Sequence, residues 1–187
     1  MELETLYLTE RKEWRDWLQA NFDKKHEVWL VYPNKSTGKP RIEYNTAVEE
    51  ALCFGWIDSK IKSFDKDSAI QKYSVRREKS NYSQANKERL KWLLERDLIH
   101  PIVIPKVKEV LKNEFVIPQD IIDEIKKDKE AWEFYQTLTD GYKRIRIAYI
   151  DGARVREDIF QQRLKYFIKN TSQGKLIKGF GGIGKYY

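Results

Sequence analysis

The period of the apolar positions changes along the chain, and each change marks an element. Trp14, Trp17 and Leu18 stand at i, i+3, i+4, which predicts an amphipathic helix with Thr9 as its cap. Glu27 to Pro33 (EVWLVYP) is rich in β-branched and aromatic residues and closed by proline, so it reads as a strand. Asn34 to Pro40 carries Ser36, Gly38 and Pro40 and reads as a loop. Thr46 and Glu49 have the spacing of a capping box, and the helix they open buries Val48, Ala51 and Leu52 and stops at Gly55. From Trp56 to Phe64 the period falls to two, with Trp56, Asp58, Lys60 and Lys62 on one face and Ile57 and Ile61 on the other. Ala69 to Val75 alternates again, and Asp65 to Ser68 between the two runs predicts a hairpin.

Beyond Ser83 the pattern is helical throughout. Leu90, Leu93 and Leu94 form one stripe; Pro105 and Pro118 can each begin a helix; Ala131, Phe134, Tyr135 and Leu138 form another stripe. Tyr142, Ile145 and Tyr149, then Phe160, Leu164, Phe167 and Ile168, complete the series. The expected class is α+β, with a small antiparallel sheet of about three strands and helices in the N-terminal half and a helical C-terminal half. The expected organisation is an α+β part over residues 1–98, a helical part over 99–172 packed on it, and a Gly-rich flexible tail over 173–187.

Charge sharpens this picture. The 187 residues carry 36 Lys and Arg against 29 Asp and Glu, a formal charge of +7. From Asp140 onward there are 11 basic residues against 4 acidic ones, so the whole excess sits in the last quarter. A second imbalance, 11 basic against 5 acidic, runs from Lys60 to Arg96. Such asymmetry attracts polyanions, and it also serves as an ordinary solubilising surface. No apolar run approaches the roughly 20 residues that a membrane-crossing helix needs. The acidic start lacks the pattern of a secretory signal, and a single cysteine, Cys53, offers no disulfide framework, so a cytoplasmic address is expected.

Most motifs carry no chemistry. Gly179 to Gly184 spells a dinucleotide-binding glycine pattern but has neither the strand before it nor the helix and acidic residue after it. His26, His100 and Cys53 lack zinc-site spacing, and Cys53 between Leu52 and Phe54 reads as a buried thiol. No metal, cofactor or catalytic residue is expected. One stretch differs: the passage from strand to helix at Val75–Arg89. Helix-start amides, the hydroxyls of Ser80 and Ser83 and the guanidinium groups of Arg76 and Arg77 would together receive an anion. Lys79, Tyr82, Asn86 and Arg89 belong to the same run, and Trp56, Asp58 and Lys60 extend it if the hairpin packs alongside. On the other reading, Ser83 is a helix cap and the arginines pair with Glu78, Glu88 or Asp58.

Glu49–Asp58 (EEALCFGWID), followed by Arg76, Arg77, Lys79, Ser80, Tyr82, Ser83, Asn86 and Arg89, resembles the YdeI/OmpD-associated (bacteriocin-protection) family. Val28–Leu30, Tyr44, the proline-begun helix near Pro118, the aromatic helix at Trp132–Tyr135 and the final basic helix keep the order of that family's elements. Ser59, Val75 and Tyr82 depart from it, standing where the family has Gly, Pro and Trp, and Ala153, Arg154 and Arg163 echo its C-terminal signature loosely. The resemblance implies a role in bacteriocin or stress protection and no established reaction. Three functions are therefore weighed. The first is a non-catalytic binder of nucleic acid or a phosphorylated ligand, with Trp56 or Tyr82 as a stacking surface. The second is a protein-interaction factor docking an acidic partner. The last is an enzyme acting on a small phosphorylated substrate around Asp58.

Overall fold

The computed structural model describes residues 3–78, 80–178 and 184–186. Its contacts divide into two compact units: Met1–Asn81 with Leu90–Lys108, and Tyr82–Arg89 with Glu109–Tyr187. The class is α+β, as the pattern predicts, but the sheet has four strands in the order β1-β2-β4-β3.

In the first unit, β2 (Glu27–Pro33) pairs antiparallel along its whole length with β4 (Ser68–Val75), which pairs antiparallel with β3 (Trp56–Ser63). The strand that the sequence reading missed is β1 (Thr5–Leu6), parallel to β2 through Thr5 opposite Trp29 and Leu6 opposite Leu30. Two residues hold no alternation to read, so only the pairing reveals it. The β3 alternation is also broken. Asp58 lies opposite Tyr73 but Ile61 lies opposite Gln71, so a bulge inserts one residue and exchanges the faces beyond it. The exchange brings Ile61 onto the face of Trp56 and Tyr73, where it is nevertheless exposed, and Lys62 onto the other face, 4.8 Å over the Trp29 ring.

Helices α1 (Arg11–Asn21) and α2 (Tyr44–Cys53) belong to the same unit. Trp14 and Leu18 are fully buried, as their spacing requires. Neither expected cap holds. The cap of α1 is Glu10 rather than Thr9, because Glu13 reaches back and accepts from both amides at 3.0 and 2.9 Å. Helix α2 begins at Tyr44, upstream of Thr46, and Glu49 is turned inward to Arg11 instead of back to the helix start. Gly55 ends the turn after α2 at φ +74°, a conformation that other residues adopt only with strain. Cys53 is fully buried, and burial, helped by Glu50, pushes its thiol up to about 12, which leaves it inert.

Helix α3 (Gln84–Leu94) contributes to both units, and α4 is Ile104–Leu111. The second unit holds α5 (Gln119–Lys126), α6 (Lys129–Thr137), α7 (Asp140–Asp151) and α8 (Glu157–Ser172). Pro118 is the cap of α5; Asp128 caps α6 by accepting from the Ala131 amide at 2.8 Å, and Thr139 caps α7. Their apolar stripes meet in one core containing Ile121, Ile125, Tyr135, Tyr142, Phe160, Leu164 and Phe167. The Gly-rich segment 179–183 lies outside the described residues.

Candidate anion-binding site

The predicted residues fall into two groups, one in each unit. In the first unit, Trp56 is not a surface ring. It is fully buried at the start of β3, its indole N–H donates to the Phe22 carbonyl at 3.1 Å, and its ring meets Trp17 edge-on. Packing holds it, so no face is left for a base. Asp58, two residues on, is half-buried and accepts from the Tyr44 hydroxyl at 2.6 Å. Lys60 is exposed on β3, the edge strand, where a lysine also discourages pairing with another chain.

After β4 the backbone turns tightly. The Arg76 amide donates to the Gly55 carbonyl at 3.0 Å, and its guanidinium donates back to the Ser80 and Asn81 carbonyls. Arg76 thereby closes its own loop. The Ser80 amide and hydroxyl both donate to the Arg77 carbonyl, at 3.1 and 2.8 Å, so that hydroxyl is committed to the turn. Arg77 itself is exposed, and its side chain has no hydrogen bond or ion pair among the described residues. Lys79 lies outside the described residues. Asp58, Lys60, Lys72, Arg76, Arg77 and Ser80 line one open groove of about 390 Å³. Lys72 is paired with Glu27, whose carboxyl that bond holds below the usual range.

The second group, Tyr82 to Arg89, lies in the other unit. Ser83 is the cap of α3, accepting from the Asn86 amide at 3.3 Å, and Asn86 accepts from Arg89 at 2.7 Å. Arg89 is buried, so it supports the helix start instead of meeting solvent. The acidic neighbour Glu88 is taken by Arg144 through two bonds of 2.6 and 3.0 Å. Tyr82 is half-buried. Thus the groove assembles Asp58, Lys60, Arg76, Arg77 and Ser80; Trp56 serves the core, and Ser83, Asn86 and Arg89 serve the α3 start.

Sequence reasoning missed a second concave surface. In the second unit a cleft of about 520 Å³ is lined by Arg146, Tyr149, Arg156, Arg163, Tyr166 and Lys178, among others. The charge excess after Asp140 was the available signal, but it gave no way to know that these cations converge. Among the described residues, no three His, Cys, Asp or Glu side chains gather as a metal site would need, and no helix is long and apolar enough to cross a membrane.

Residues 6–105, more than half of the chain, match the family model described as a domain of unknown function (DUF8412), and residues 114–174 match the model described as bacteriocin-protection, YdeI or OmpD-associated. The chain therefore belongs to that domain family of unknown function and carries a YdeI/OmpD-associated segment over α5–α8. The strings that carried the resemblance, Glu49–Asp58 and Arg76–Arg89, fall within the first match, whereas the YdeI/OmpD match is C-terminal. No curated protein and no solved structure matches significantly.

Proposed function

We propose that the chain binds a polyanion, nucleic acid or a phosphorylated ligand, without transforming it, within the bacteriocin-protection setting that its YdeI/OmpD-associated segment suggests. The observation that supports this reading is the groove beside β3 and β4. Among the described residues four cations line it against one carboxylate; Arg77 is exposed with no hydrogen bond or ion pair, and Lys60 is exposed and held only by a through-space attraction to Glu27. Arg76 rigidifies the loop that presents Arg77, so less ordering entropy is lost when an anion arrives. Arg77 supplies a planar fork for a phosphate oxygen pair and Lys60 a mobile point charge.

The test is fluorescence anisotropy with a labelled single-stranded oligonucleotide at low salt. Replacing Lys60 and Arg77 together by Ala is expected to weaken binding by about tenfold or more, since charge-assisted bonds contribute roughly 1.5–3 kcal/mol each at best and less when exposed. Both side chains are exposed, so the fold is expected to survive, with an unchanged circular dichroism spectrum. Unchanged affinity in a folded double variant would remove the groove from the account.

A further inference from the structure

The basic cleft of the second unit plays no part in that reading, and its geometry points to a different kind of ligand. Among the described residues four cations line it, Arg146, Arg156, Arg163 and Lys178, and no carboxylate does. Of the nearby acids, Asp151 bonds Arg154 and Glu157 accepts from Gln161, while the exposed Asp158 is not part of the lining. Like charges held together without a counter-charge repel one another, and an anion relieves that cost.

Two of the cations are fixed by the fold. Arg163 on α8 donates to the Tyr149 carbonyl at 2.7 Å and lies 3.6 Å over the Tyr149 ring on α7. Arg146 is buried and donates to the Ile177 carbonyl at 2.5 Å, while the Ile177 amide donates to the Tyr142 hydroxyl at 2.8 Å. These bonds pin the segment after α8 across the cleft and carry Lys178 to its rim. The other two cations, Arg156 and Lys178, are exposed, and neither side chain has a hydrogen bond or ion pair among the described residues.

Apart from Gln162, the rest of the wall is apolar or aromatic, with Ile150, Ile159, Phe167, Ile177 and the half-exposed ring of Tyr166. Pure phosphate would leave that surface wet and unused. At about 520 Å³ the cleft is in the range of roughly 300–1,000 Å³ typical of small-molecule sites. We infer that it binds a small organic anion, a phosphate or carboxylate group attached to a flat apolar body, with the anion between Arg156, Arg163 and Lys178 and the body against Tyr166 and Ile159. A nucleoside monophosphate has this chemistry and this size.

The test uses the full chain, isotope-labelled for NMR, titrated with adenosine monophosphate and separately with inorganic phosphate. The monophosphate is expected to shift the amides of Tyr149, Arg163, Tyr166 and Lys178 and to bind at least about tenfold more tightly than phosphate. Arg156→Gln combined with Lys178→Gln is expected to weaken it by at least about tenfold, as loss of charge-assisted bonds should. The Lys60 and Arg77 double variant is expected to leave it unchanged, so that the cleft and the groove stand or fall separately. The assignment is overturned if no cleft amide shifts, if phosphate binds as well as the nucleotide, or if only the groove variant reduces binding.

Discussion

Arg11→Ala is expected to destabilise the first unit by about 3 kcal/mol, toward the lower end of the cost of breaking a buried ion pair. The reason lies in two adjacent carboxylates on α2. Glu49 and Glu50 are both fully buried, an arrangement tolerable only because α1 answers them. Arg11 donates to Glu50 at 2.5 Å and to Glu49 at 3.2 Å; Arg15 donates to the second Glu50 oxygen at 2.8 Å and to the Leu98 carbonyl at 2.9 Å. Two charges of each sign cancel inside the unit. Burial works against the charge on Arg11, yet Glu50 and Glu49 outweigh it and raise its pKa. Removing Arg11 leaves Glu49 and one oxygen of Glu50 charged, dry and without that partner.

Hydrogen exchange of the β2 and β4 amides measures this loss within the first unit alone. Lys12→Ala is the contrast. Lys12 meets Asp16 at a comparable 2.5 Å, but both side chains are largely exposed, and the expected loss is below about 0.5 kcal/mol. Equal losses for the two variants would contradict the role given to burial.

Trp14→Ala is expected to cost more, about 3–5 kcal/mol, the usual range for removing a large buried aromatic. Trp14 is fully buried, stacks on Trp17 with centroids 5.3 Å apart, and meets Tyr73 edge-on at 5.4 Å. Its indole N–H donates to the Ala47 carbonyl at 3.0 Å, so truncation opens a cavity and also removes that buried hydrogen bond. Against the 5–15 kcal/mol that holds a typical domain, such a loss leaves little margin. Urea denaturation followed by exchange of the β4 amides should show a midpoint well below that of the parent chain. A shift worth under about 1 kcal/mol would mean that α1 does not pack as described.

The elements that carried a strong period were legible in the sequence. β2 spans Glu27–Pro33 as read, and the hairpin strands lie where alternation placed them, because a half-buried strand must alternate. What could not be read depends on partners distant in sequence. Thr5 and Leu6 become a strand only by pairing with β2, and the bulge after Asp58 is a property of two strands together. The capping-box spacing of Thr46 and Glu49 was real as a pattern, yet Arg11 competes for Glu49 and wins.

The candidate site was legible in its charge and not in its assembly. Arg77 and Lys60 were identifiable as cations near a strand end, but their exposure depends on how the loop closes. Arg76 looked equivalent to Arg77 and is instead turned onto its own loop carbonyls. Arg89 looked like a helix-face cation and is buried against Asn86. The α7–α8 cleft brings Tyr149 and Arg163 together across fourteen positions of sequence, a contact that no local pattern announces.

The most direct measurement is the affinity of the parent chain and of the Lys60 and Arg77 double variant for the same oligonucleotide across a salt series. Each single-strand phosphate contact contributes about 0.7 to the slope of log affinity against log salt. The parent chain should weaken steeply as salt rises, and the variant's slope should be shallower by about 1.4. A flat salt response in the parent chain, or identical slopes in the two proteins, would contradict a groove that holds phosphates by charge.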